Sequence, residues 1–75
     1  MPRTNVDATA RLIRRFNDWI RGELKRKNKK QIDLAEYLNV SQAIISLRLR
    51  GLSEWPFRDV LNACDYFGVK LEEIL

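Results

Sequence analysis

Residues 28–51, NKKQIDLAEYLNVSQAIISLRLRG, hold two short apolar patterns at helical spacing, broken at Asn39-Val40-Ser41 and closed by Gly51. Leu34, Ala35 and Leu38 recur at the three- and four-residue intervals of one helix face, and Ile45 and Leu49 repeat that spacing beyond the break. Isolated helices shorter than about 12–15 residues are marginal in water, so neither segment is stable alone. Both must pack against other helices, and the short break keeps them side by side. The chain is thereby constrained to a compact helical bundle with one tight corner.

The punctuation around the corner is specific. Asn28-x-x-Gln31 has the form of a capping box, with Asn in place of Ser or Thr, opening a helix that ends near Leu38. Asn39 is expected in a left-handed turn conformation, which Asn accepts better than most residues with a side chain. Ser41 is a good N-cap for a third helix running to Arg50, with Gly51 as its stop. Ile45 and Leu49 face inward. Gln42, Ala43, Ser46, Leu47 and Arg50 face outward, and Ile32 and Ile44 also fall on outward positions.

The flanking segments supply the rest of an all-α fold. A first helix is expected from about Asp7 to Lys27, capped through Thr4-x-x-Asp7 or Asn5. Its buried stripe is Leu12, Phe16, Ile20 and Leu24, with Ile13 and Trp19 beside it. The other face carries Arg11, Arg14, Arg15, Arg21, Lys25 and Arg26. Pro56 can open a fourth helix, where a missing amide costs little, with Phe57, Val60, Leu61, Cys64 and Phe67 as its core stripe and Gly68 as its stop. Leu71, Ile74 and Leu75 form a short last helix, with Glu72 and Glu73 near its positive end. Residues 1–6 are expected to be a flexible N-terminus and residues 7–75 a single domain of five helices. No strand candidate is present.

With 75 residues, one core is the limit. There is one Cys and no His, so neither a disulfide nor a Cys/His zinc set staples the fold. The same lack of His leaves the serines and the thiol without the usual general base, and no glycine-rich phosphate loop exists. No catalytic residue, metal, cofactor or small-molecule ligand is expected. Arg11, Arg14 and Arg15 interrupt every apolar stretch near the N-terminus, so neither a signal peptide nor a membrane span is expected. The cytoplasm is the expected location, or the host cytosol for a chain of viral origin. Charge is uneven: residues 1–50 hold 12 Lys and Arg against five acids, and residues 51–75 hold two against five. One basic face turned toward a polyanion fits that asymmetry.

From residue 31 onward the chain resembles the helix-turn-helix domains of phage repressors, Cro proteins and the Xre class of regulators. The family shows Gln-x-x-x-Ala-x-x-x-Gly-Val-Ser-Gln, then Val-Ser and a closing Gly. Here those positions are Gln31, Ala35, Asn39, Val40, Ser41, Gln42, Ile45, Ser46 and Gly51, and LNACDYFGVKLEEIL is similar to the family's fourth and fifth helices. Departures are Asn39 for the turn Gly, Arg48 where an aromatic is frequent, Arg50 where Asn is frequent, Lys29 at a normally apolar position, and a longer first helix. The resemblance implies a lambda-repressor-like domain that reads double-stranded DNA and represses or activates a promoter, with repression the favoured sense.

On that reading, Gln42 at the start of the third helix offers adenine a paired donor and acceptor. Ala43 and Leu47 can meet thymine methyls, and Ser46 can bond either strand; Leu47 has packing against a loop as an equal alternative. Gln31, in the resembled family, contacts phosphate and braces the reading Gln, a role compatible with capping. Lys25, Arg26, Lys27, Lys29 and Lys30 form a basic run leading into the corner. The expected phosphate set is Lys27, Lys30, Gln31, Ser41, Arg48 and Arg50, although the stem of Arg48 can instead shield the core. A homodimer on a two-fold related site is expected, because one such helix contacts few base pairs, and Leu71, Ile74 and Leu75 exceed what a short last helix needs. Two rivals remain: an antitoxin or anti-defence module that binds a protein first, and a membrane-surface binder acting through the basic first helix.

Overall fold

The computed structural model describes residues 4–74, with side chains from Ala8 onward. Among the described residues the fold is all-helical: α1 (Thr4–Arg26), α2 (Gln31–Leu38), α3 (Gln42–Leu49), α4 (Phe57–Phe67) and α5 (Leu71–Ile74). α2 packs on α3 and α4, while α1 packs on α3 and α5. No helix among the described residues is long and apolar enough to cross a membrane.

α1 starts at Thr4, about one turn before the expected Asp7, so residues 4–6 belong to the helix, and residues 1–3 of the expected N-terminal segment lie outside the described residues. The caps expected of Thr4, Asn5 and Asp7 lie outside the described side chains. The α1 stripe is buried at Phe16, Ile20 and Leu24 but not at Leu12, which is 45% exposed, nor at Ile13. Length explains this. Twenty-three helical residues span about 34 Å, and partners of four to eleven residues cannot cover that cylinder from end to end. The N-terminal half of α1 therefore keeps apolar side chains in solvent.

The core joins that stripe to Leu34, Ala35 and Leu38 of α2, Ile45 and Leu49 of α3, and Ala63, Cys64 and Phe67 of α4. Trp55, in the loop before α4, closes it with its ring edge-on to Phe16 at 5.1 Å between centroids. Ala35 is fully buried where α2 meets its neighbours. Burial raises the Cys64 thiol above its ordinary pKa, as expected of a small buried hydrophobe. Two expected core residues of α4 are instead exposed. Leu61 sits one residue, about 100°, around the helix from the half-buried Val60, and Phe57 projects from the uncovered side of the first turn, away from the buried Asp59.

The corners follow local chemistry. Asn39 takes φ 60 and ψ 44, and Val40 N–H closes onto the Ala35 carbonyl at 3.0 Å. Ser41 Oγ accepts from Ile44 N–H at 3.1 Å, the expected N-cap. Gly51 is left-handed at φ 78, ending α3 at Leu49 with Arg50 as its C-cap, one residue earlier than expected. The α1–α2 corner differs from expectation. Asn28 is left-handed at φ 55 and terminates α1, with Lys29 N–H bonded to the Leu24 carbonyl. The N-cap of α2 is Lys30, whose amide donates to the Asp33 carboxylate at 2.8 Å. The cap is thus shifted two residues from Asn28-x-x-Gln31, because a residue closing one helix in left-handed backbone cannot also cap the next from extended backbone.

Candidate nucleic-acid interface

α2 and α3 are joined by the three residues Asn39, Val40 and Ser41. This corner brings the first residue of each helix together: Gln42 Nε2 donates to Gln31 Oε1 at 3.2 Å. Freed from capping, Gln31 is half-buried and holds its amide against the exposed Gln42. Gln42 has its remaining polar capacity toward solvent, the second donor on its nitrogen and the amide oxygen as acceptor.

α3 presents three zones. Ile45, Arg48 and Leu49 are buried; Ile44, Ser46 and Leu47 are half-buried; Gln42, Ala43 and Arg50 are exposed. Gln42, Ala43, Ser46 and Leu47 keep solvent access on the side away from the core. Ile44 is drawn partly inward, unlike its expected outward placement.

The six residues expected at phosphates separate into two groups. Lys30 is exposed, Gln31 stands at the start of α2, Ser41 retains its hydroxyl proton for donation while capping α3, and Arg50 is exposed with Nε 3.4 Å from the Ser46 carbonyl. These four keep polar groups accessible, Lys30, Gln31 and Ser41 around the starts of α2 and α3 and Arg50 at the far end of α3. Lys27 is occupied elsewhere: its ammonium donates to the Phe67 carbonyl at 3.1 Å and lies 3.8 Å from Glu23, placing a cation at the negative end of α4.

Arg48 is the clear correction, since it is 8% exposed and turned into the protein. Its Nη1 donates to the Asp59 carboxylate at 2.9 Å, and its guanidinium lies 5.2 Å from the Trp55 ring centroid. A phosphate cannot reach a group so enclosed. Spacing explains the position: residue 48 is three beyond Ile45, on the same inward arc of α3.

Asn17 completes this network. Its Nδ2 donates to the Arg48 carbonyl at 2.9 Å, and its Oδ1 accepts from the Trp55 indole at 2.7 Å. Arg21 caps the adjacent Leu49 carbonyl. The last carbonyls of α3 are therefore held by side chains of α1, which fixes the helix carrying Gln42 along its length. Asn17, Arg21 and Asp59 were not expected at this site. Their one legible sign was a polar or charged residue inside or beside an apolar stripe.

The basic run before α2 is only partly paired. Arg26 and Lys27 flank the buried Glu23, whereas Lys25, Lys29 and Lys30 are exposed. Among the described residues no group of three or more Cys, Asp and Glu is placed to hold a metal ion. No protein-family model matches the chain, and neither a curated protein nor a solved structure matches it significantly.

Proposed function

We propose that this protein is a sequence-specific regulator of transcription, acting through a lambda-repressor-like helix-turn-helix that lays the start of α3 in the major groove of duplex DNA. The observation that carries the reading is the Gln31–Gln42 pair, held across a three-residue turn with Gln42 facing solvent. A reading side chain is useful only when its orientation is set before binding, and Gln31 sets it. Gln42 then meets adenine, and Ala43, Ser46 and Leu47 contact the neighbouring base edges. Lys30, Gln31, Ser41 and Arg50 engage the phosphates, joined by Lys25 and Lys29, while Arg48 and Lys27 serve the fold.

The protein acts in the cytoplasm, without cofactor, as a repressor that occupies its site as a homodimer. The pairing surface we favour takes in Leu71, one of the residues expected at the chain's end, and extends from it onto α1 and α4. Leu71 and Ile74 pack partly buried against the protein's own core, and Leu75 lies outside the described residues. Leu12, Ile13 and Phe57, around an apolar groove floored by Phe16 and Trp55, are the exposed apolar group that a second copy covers.

Selection of bound sites from random duplex DNA tests the proposal. An enriched inverted repeat is the expected outcome; a pool that stays random overturns it.

A further inference from the structure

A cleft of about 490 Å³ opens between α1 and the end of α3, with Arg14, Asp18 and Arg21 on one wall and Arg50 and Gly51 on the other. Building on the proposed entry of α3 into the major groove, we propose that this cleft seats a backbone phosphate, on the groove wall opposite Lys29 and Lys30.

Positions 14, 18 and 21 recur at i, i+4 and i+7, so they form one stripe along α1. Arg14 is exposed and has no ion-pair or hydrogen-bond partner among the described residues. Arg50 lines the cleft and uses Nε on the Ser46 carbonyl, which leaves its two outer nitrogens for a ligand. Arg21 donates to the Leu49 carbonyl and to Asp18 at 3.5 Å. Three guanidinium groups thus face one carboxylate, already paired.

A helix C-terminus ordinarily repels anions through its bare carbonyls. Here the Arg48 and Leu49 carbonyls are taken by Asn17 and Arg21, so that repulsion is screened. Asn17 also lines the cleft, and its bond to the buried Trp55 indole makes that wall rigid. Guanidinium forks match phosphate oxygens in geometry as well as charge.

Dimensions place the cleft at the duplex backbone. The eight residues of α3 extend about 12 Å, close to the width of the major groove, about 12 Å. A helix with its first residue at the base edges carries its last turn toward a phosphate wall. The basic residues before α2 lie at the other end of the same unit, so two strands are gripped at once.

The test measures duplex affinity against salt for the wild type, Arg14→Ala, Asp18→Asn and Gln42→Ala, leaving Arg21 intact because it caps α3. Arg14→Ala should weaken all duplexes alike, by about three- to tenfold, and reduce the slope of log K against log salt by about 0.9 per bound subunit. Asp18→Asn should tighten binding by removing the opposing carboxylate. If Arg14→Ala matches the wild type in affinity and slope while Gln42→Ala alters the preferred site, the cleft is overturned and the reading of α3 stands. If the wild type binds no duplex, the reading of α3 falls, and inorganic phosphate is titrated while amide shifts of Asn17, Arg21 and Gly51 are followed. Shifts that vanish in Arg14→Ala then keep the cleft as a site for a free phosphate group; their absence overturns it.

Discussion

The Arg48 guanidinium and the Asp59 carboxylate meet at 2.9 Å, both largely buried, linking the inner face of α3 to the first turn of α4. The pair stands next to Trp55, which hydrogen-bonds Asn17 of α1, so three helices converge on one polar knot. Arg48 Nε is buried without a hydrogen-bond partner, so the knot is not fully satisfied. Buried pairs of this kind are costly to break and often replaceable. Asp59→Ala should therefore lower stability by about 3–5 kcal/mol, leaving an uncompensated cation in the core. The double change Arg48→Met with Asp59→Leu should recover most of that loss. Urea unfolding of the three chains decides it, and a double variant no more stable than Asp59→Ala would mean the knot acts through more than its charges.

In the proposed mode of binding, Gln31 and Gln42 carry distinguishable roles. Gln42→Ala should reduce discrimination at one base pair by roughly 1–3 kcal/mol, because the paired donor and acceptor are lost. Gln31→Ala should lower affinity for the selected site while keeping the same base preferred, since it removes the brace and a phosphate contact, neither of which reads a base directly. Binding to a panel of single-base site variants separates these outcomes. An unaltered preferred base after Gln42→Ala means that α3 does not read it as proposed.

Lys30 and Lys27 share a sequence neighbourhood but not an environment. Lys30 is exposed at the entry to α2, so Lys30→Ala should flatten the salt slope by about 0.9 per bound subunit and leave stability nearly unchanged. Lys27 caps the Phe67 carbonyl from a distance of 40 residues in sequence. Lys27→Ala should instead lower the melting temperature and leave the salt slope as in the wild type. Reversal of the two phenotypes would place the phosphate contact at Lys27.

These differences show where periodicity carries information and where it stops. Leu34, Ala35, Leu38, Ile45 and Leu49 were legible because each segment is short and buried on one face only. Asn39, Ser41 and Gly51 were legible because their backbone demands are local. Leu12, Phe57 and Leu61 obey the same apolar spacing yet remain exposed, since spacing reports a face and not whether another helix covers it. Arg48 was ambiguous for a related reason: its register pointed inward, but the burial of a charge depends on Asp59, eleven residues later. Asn28 misled because a side chain suited to N-capping is equally suited to left-handed backbone, and the end of α1 claimed it.

Tyr37 adds a pH dependence to stability on the alkaline side. Its hydroxyl donates to Asp65 at 2.8 Å, and that bond, with the nearby negative charge, raises the phenol above its ordinary value of 10.0. A group whose folded pKa is raised supports folding while protonated, below the unfolded value. That support is lost as pH rises through the folded pKa. Stability should therefore fall above about pH 10, and Tyr37→Phe should be less sensitive across that window. Thermal melts from pH 8 to 11 test this, with equal pH sensitivity in both chains as the contrary result.

The homodimer reading predicts a contrast between two apolar residues. Phe57 is 67% exposed at the rim of the groove between α1 and α4, whereas Ile74 packs partly buried against the core. A charge at Ile74 should destabilise the chain itself, because desolvating a carboxylate within a packed cluster is unfavourable. A charge at Phe57 meets only solvent in the monomer and should leave its melting temperature almost unchanged. In the dimer the same charge is buried opposite apolar groups, so Phe57→Asp should abolish pairing and lower affinity for an inverted repeat while sparing half-site binding. Light scattering of the free protein and mass measurement of the DNA complex provide the readout. The wild type should load an inverted repeat two chains at a time, whereas Phe57→Asp should fill each half-site independently and more weakly. Equal occupancy by both, at equal affinity, excludes this face as the interface.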